Sequence, residues 1–144
     1  LTTTRVVGAD GFGKKTRVLD AAQARGIRAV VPGDAEWPGA LDHPLVSPHL
    51  LYLRGEARID EVARQAVAVV GSRASSGYGE AVARELGAGL AGRGWSVASG
   101  LAYGIDGAGL RGALAVGGAC LAVLPCGPDQ IYPQGHRRLA DAVL

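Results

Sequence analysis

The sequence predicts an α/β fold: a three-layer, Rossmann-like parallel sheet, about half of a doubly wound domain, with an N-terminal lead-in segment. Three observations predict it. From Ala66 onward, apolar runs of strand length alternate with periodic runs of helix length in the order β-α-β-α-β, the grammar of crossover-connected strands. The strand runs are apolar throughout, which implies a parallel sheet covered on both faces. The composition, 48% hydrophobic and 19% charged, belongs to a chain that buries a core.

The elements follow in order. Residues 1–15 are rich in Thr and Gly and contain Lys14 and Lys15; they are expected to form a loop. Thr16 to Arg25 carries Val18, Leu19 and Ala22 on one side and is followed by Gly26, the pattern of a short helix with a glycine stop. Ile27 to Val31 is a compact apolar run closed by Pro32-Gly33, a strand and turn. Residues 32–48 hold four of the seven prolines and Trp37, so an extended, irregular path is expected. Leu50 to Leu53 is a second short strand ended by Arg54-Gly55, and Ile59 to Arg64 is a helical turn or two.

Ala66 to Val70 then reads as a continuous buried strand. Tyr78 to Arg93 is a helix in which Val82, Leu86 and Leu90 recur every four residues and are expected to face the core, with Arg84 and Glu85 facing away. Trp95 to Ala98 is the next strand, Ile105 to Val116 a helix, Ala119 to Leu124 a third buried strand, and His136 to Val143 a further helix. Each crossover is expected to be right-handed. Three strands and two crossovers make one mononucleotide-binding half. The domain division expected is a loop and short helix over 1–26 and an incomplete Rossmann-like domain over 27–144, its core at 66–144. The chain starts at Leu1 and has no Met, and the remaining strands of such a fold would follow Leu144. A fragment of a longer protein is therefore expected.

Charge narrows the function only slightly. A formal net charge of +2 permits a polyanionic ligand without requiring one, so any such site must be local. Cys120 and Cys126 fall in one apolar run; six strand residues span roughly 20 Å, too far for a disulfide. Two reduced thiols in a cytoplasmic protein is the reading. No apolar run approaches the ~20 residues that span a bilayer, so no membrane role is expected. His43, His49 and His136 show no metal-ligand spacing with the cysteines, and no carboxylate pair suggests hydrolysis. No metal, no cofactor and no catalytic residue is expected.

In an open α/β sheet, ligands sit beyond the carboxyl ends of the strands. Three small or Gly-rich segments occupy that edge. In the first, Gly71 permits a tight exit, Ser72 offers a hydroxyl and Arg73 a planar fork for phosphate oxygens. Ser75 or Ser76 can cap the following helix, whose N-terminus favours an anion. An ordinary βα turn with a solvated Arg73 would carry the same residues. The pattern is neither G-x-G-x-x-G nor a P-loop, so neither NAD nor ATP is indicated. In the second, Ser99-Gly100 and Gly104 bracket a loop before Asp106, which serves either the cleft or the helix dipole. The third, Pro125-Cys126-Gly127, precedes Tyr132-Pro133. A nucleophilic Cys126 would need a base, with His136 the nearest, but a buried structural thiol is the simpler reading. Tyr78, Tyr103 and Tyr132 lie where bases could stack.

Together, AVAVVGSRASSGYG, SGLAYGIDGAGLRGAL and AVLPCGPDQIYP resemble the DprA/Smf family of DNA-processing proteins. The lead-in is similar too, with Trp37-Pro38, Leu41, Pro48, Leu51, Tyr52, Arg54 and Gly55 in the expected order. The resemblance covers roughly residues 27–140. It implies a Rossmann-like domain that binds single-stranded DNA, protects incoming DNA in natural transformation and loads the RecA recombinase, without a catalytic step. It places Gly71, Ser72 and Arg73, with Ser75, Ser99, Gly100 and Gly104, at a DNA-phosphate pocket, and it allows a homodimer. Two departures stand out. Leu110 occupies a position where the family commonly has His, and the family's later half, with an Arg-Asn-Arg segment, is absent. The competing readings are a LOG-like nucleotide phosphoribohydrolase, whose Pro-Gly-Gly-x-Gly-Thr signature this chain lacks, and a nucleotide-sensing module of the same fold.

Overall fold

The computed structural model describes residues 20–43 and 47–144. The loop expected over 1–15 and the start of the helix expected from Thr16 lie outside the described residues. A helical turn over residues 20–23 leads to Gly26 at φ 68°, the predicted glycine stop.

Two strands of the lead-in, β1 (Ile27–Val30) and β2 (Leu51–Arg54), pair antiparallel, with Ile27 opposite Arg54 and Val30 opposite Leu51. The proline-rich stretch between them makes a 3-10 turn at Gly39–Leu41. It buries Trp37, whose indole Nε1 donates to Asp42 Oδ1 at 2.8 Å. Helix α1 (Ile59–Arg64) follows as expected. Its entry is fixed by Arg58, which reaches Asp60 at 3.1 Å and Glu61 at 3.5 Å. The guanidinium holds the Asp60 carboxyl below the usual carboxylate range. Val30, Trp37, Leu51, Leu53 and Ile59 form one apolar cluster, with Leu41, Ala63 and Leu121 against it.

The second part is a parallel sheet in the order β3 (Ala66–Ala68), β4 (Ser96–Ser99), β5 (Cys120–Ala122). Helix α2 (Gly77–Ala91) connects the first two strands and α3 (Ile105–Ala115) the next two. A 3-10 turn at Gln134–His136 then leads into α4 (Arg137–Val143). The main core combines Val69, Val97, Leu101, Leu110, Ala113, Ala122 and Leu139. Leu110, where a family His was expected, is fully buried there. Cys120 and Ala122 point into this core, while Leu121 between them joins the lead-in cluster, as strand alternation requires. The predicted α/β Rossmann-like class therefore holds, with helices on one side of the sheet and the lead-in on the other. Among the described residues no helix is long and apolar enough to cross a membrane.

Three local expectations change. The run Ala66–Val70 is not buried throughout: Val69 is, but Ala68 is exposed and Val70 is 66% exposed. The lead-in cluster includes only Leu121 of the sheet, so beside β3 that face lies open. The run 119–124 forms a ladder only over Cys120–Ala122, and Cys126 lies in the loop beyond it. Both thiols are free; burial pushes that of Cys120 up to about 11. Cys126 is half-buried, its thiol donating to Gln130 O at 2.9 Å.

The third change concerns α2. Val82 and Leu86, expected in the core, are 44% and 50% exposed, whereas Ala83 and Gly87 are buried. The reason is the contact with α3. A Cβ at Gly87 would collide with the carbonyl oxygen of Gly109, and one at Gly112 with that of Arg84. The two helices meet backbone to backbone, so the small-residue stripe takes the interface; of the larger apolar stripe beside it only Leu90 packs against the core, and Val82 and Leu86 stay outside.

Candidate functional site

The three predicted loops converge. They enclose a cleft of about 320 Å³ beyond the carboxyl ends of β3, β4 and β5, lined by Val70, Gly71, Arg73, Gly100, Ala102, Tyr103, Asp106, Val123, Pro125, Tyr132 and Pro133. Of the seven predicted site residues, Gly71, Arg73 and Gly100 line it directly. Arg73 is exposed and is the cation of the lining.

The other four support the walls. Ser99 is 3% exposed, and its hydroxyl donates to Val69 O at 2.7 Å. That bond ties the end of β4 to the exit of β3. Ser75 donates to Glu80 Oε1 at 2.9 Å, while Ser76 caps α2 by accepting from Gly79 N at 3.1 Å. Of the two candidate caps, Ser76 therefore serves. Ser72 is exposed, but its carbonyl accepts from Ile105 N at 3.2 Å, seating the first loop on the start of α3. Gly104 has φ 74°, and a Cβ there would run into the Ser72 carbonyl oxygen. Only glycine satisfies both constraints.

Asp106 organises the site. It is 6% exposed, and its carboxylate accepts from Gly71 N at 3.3 Å, Gly100 N at 3.0 Å and Ala102 N at 3.4 Å. One side chain thus holds the first two loops in register. The same bonds engage the amides of Gly71 and Gly100, the N–H groups that a phosphate at the glycines would use. Sequence alone offered Asp106 two roles, cleft or helix dipole; the fold gives it contact with both loops.

The third wall was only partly foreseen. Of the three tyrosines expected where bases could stack, Tyr103 and Tyr132 line the cleft, with Pro133 beside them, and Tyr78 does not. His136, considered as a base for Cys126, is 5% exposed and donates from Nδ1 to Leu101 O at 2.9 Å; a carbonyl only accepts, which sets the tautomer. Leu101 is fully buried and has φ 62°, the one positive φ among described non-glycine residues. His136 also meets the Tyr103 ring edge-on, with centroids 4.8 Å apart at 70°. It therefore braces the second loop from behind.

A wider hollow of about 850 Å³ lies beside Arg25, Arg28 and Arg54. Arg28 there is committed to Glu36 at 2.6 Å and to the carbonyls of Gly55 and Ala57. Among the described residues no group of three or more His, Cys, Asp or Glu could hold a metal ion.

Comparison with known proteins gives a consistent picture. The family model for DNA recombination-mediator protein A matches residues 28–144. The chain is 48% identical over 132 residues to a putative DNA processing protein DprA of Mycobacterium tuberculosis H37Rv, covering 84% of this chain and 34% of that protein. It is 41% identical over 116 residues to protein Smf of Escherichia coli K12, covering 80% of this chain and 30% of that protein. The chain thus spans about a third of the length of these relatives. Among solved structures, DprA of Streptococcus pneumoniae superposes with a TM-score of 0.74 at 32% identity, over 91% of this chain and 46% of that one. DprA of Helicobacter pylori, solved for its single-stranded DNA binding mode, shares the fold at a TM-score of 0.68 and 24% identity, over 81% of this chain and 51% of that one.

Proposed function

This chain belongs to the DNA recombination-mediator protein A (DprA/Smf) family, and from that premise we propose that it binds single-stranded DNA at the cleft beyond its strand ends. The observation that carries the reading is the convergence of all three loops on one opening with an exposed Arg73 at its edge. Phosphate contact is assigned to Arg73, with the exposed Ser72 hydroxyl beside it. Gly71, Ser75, Ser99, Gly100 and Gly104 shape the wall that presents them. A guanidinium suits phosphate oxygens in a chain without sequence preference.

The wider role follows the family: protection of incoming DNA during natural transformation in the cytoplasm, RecA loading, and assembly as a homodimer. A relative described for its single-stranded DNA binding mode supports the ligand. A binding role rather than catalysis is supported by Asp106, the carboxylate of the cleft, which is committed to three backbone amides.

The test is a titration of labelled oligo-dT against this chain at several salt concentrations, with wild type and Arg73→Ala. Each phosphate contact on a single strand contributes about 0.7 to the slope of log affinity on log salt. Arg73→Ala is expected to weaken binding and to flatten the slope by roughly that amount. Unchanged affinity and slope would remove Arg73 from the site. Release of free base from a nucleoside monophosphate would favour the phosphoribohydrolase reading.

A further inference from the structure

We propose that the hollow at the end of β1 and β2 is a second phosphate site, separate from the cleft, and that a bound strand long enough to pass Pro128 enters it. The inference rests on the single-stranded DNA reading and goes beyond it by giving the strand a path across the lead-in.

The hollow has a local cause. The β1–β2 ladder ends at the pair Ile27–Arg54. The next residue on each side is a glycine, Gly26 at φ 68° and Gly55 at φ 110°, and there the chain turns away. The turns border a hollow of about 850 Å³, with Arg25, Arg28 and Arg54 in its lining and Glu56 as its carboxylate.

The three arginines differ in what they have left to give. Arg28 is paired with Glu36 at 2.6 Å and holds the carbonyls of Gly55 and Ala57, so it fixes the wall. Arg25 and Arg54 are exposed. Arg25 donates to Ala21 O at 3.1 Å. Arg54 reaches Pro128 O at 3.5 Å, long for a hydrogen bond. A carbonyl carries no net charge, so both guanidiniums keep theirs, and each has further N–H groups for phosphate oxygens. Two such charges on one concave surface attract a polyanion more than the net charge of +2 suggests.

Position makes the ligand a strand. Pro125 lines the cleft, and Pro128 meets Arg54. Three residues of chain span at most about 11 Å, a distance that about three phosphates cover at roughly 3.4 Å each along a stacked strand. A strand held at Arg73 therefore brings its next phosphates to the hollow at high local concentration. Two carboxylates border this route, Glu56 and Asp129; both are exposed, where water and salt screen them.

The experiment titrates this chain with two labelled oligo-dT strands by fluorescence anisotropy. One has about four nucleotides and the other about sixteen, the span of single-strand site sizes. Each is measured at two salt concentrations that differ fourfold. A phosphate contact contributes about 0.7 to the slope of log affinity on log salt, so two extra contacts cost the long strand about sevenfold more on that step than the short one. Arg25→Gln, outside the cleft, is expected to cut this extra loss to about 2.6-fold and to leave affinity for the short strand unchanged. Arg54→Gln is expected to cut it likewise, and Glu56→Gln to tighten the long strand alone. Equal salt loss for both strands in wild type would overturn the second site while leaving the cleft reading intact. An extra loss unmoved in both Arg25→Gln and Arg54→Gln would overturn it as well, as would an Arg25→Gln protein that binds short and long strands weaker by one factor. Failure of wild type to bind either strand would overturn both readings.

Discussion

A single carboxylate decides how much of the cleft exists. Asp106 meets three amides from two loops, so replacing it leaves several part-buried donors without their partner. A lost buried partner costs about 1–3 kcal/mol. Asp106→Ala is expected to lower the urea-unfolding free energy by an amount within that range, since water reaches part of these donors. Asp106→Asn is expected to lose less, because one amide oxygen still accepts. Equal loss in both would mean that the acceptor is not what matters. The site residues divide along the same line. Gly71, Arg73 and Gly100 were legible as cleft lining because each lies just beyond the carboxyl end of a strand, where an open α/β sheet places its ligands. The roles of Asp106 and His136 were not, because each acts on backbone groups that only the fold brings near: Gly71 lies 35 residues from Asp106, and Leu101 lies 35 residues from His136. The positive φ of Leu101 leaves no mark in the sequence.

Elements were easier to place than their faces. Every helix and strand predicted within the described residues is present, most with ends displaced by one or two residues, and β3 and β5 shortened where the chain turns off toward the cleft. What periodicity misjudged was α2, because two stripes run side by side along it. Ala83 and Gly87 are buried, and Val82 and Leu86 are not. Hydrophobicity ranks the second stripe higher, yet helix contact depends on how near two backbones can come, and the partner α3 carries Gly109 and Gly112 at the same place. The prediction at this scale inverts the usual order of substitutions. Gly87→Ala, which improves helix propensity, is expected to destabilise by about 1–3 kcal/mol through overpacking. Leu86→Ala, at a half-exposed position, is expected to cost less than that. Thermal or urea melts of the two variants check it; a Gly87→Ala protein as stable as wild type would mean the helices separate without penalty.

At the scale of the molecule, the general plan was plain in the order of the runs, and the use of the lead-in was not. Its strands were legible one by one, but nothing in them said that they pair with each other rather than join the parallel sheet. Their pairing and the seating of Leu121 on their cluster give the sheet its third layer. The lead-in also reaches the rim of the site, through Arg54 Nη1 donating to Pro128 O at 3.5 Å.

The alternation along β5 gives the molecule two dry interiors joined at one short ribbon. Cys120 and Ala122 serve one and Leu121 the other. Regions with separate interiors open separately, in contiguous units whose free energies differ. Hydrogen exchange is expected to show this as two tiers. The amides of β1 and β2 should exchange by a lower-energy opening, and that of Val97, fully buried in the larger interior, by a higher one. A single tier spanning both would mean that three residues suffice to make the whole chain melt as one. If two tiers appear, the lead-in can detach and return while the cleft stays assembled, so that the two parts answer to stress on different clocks.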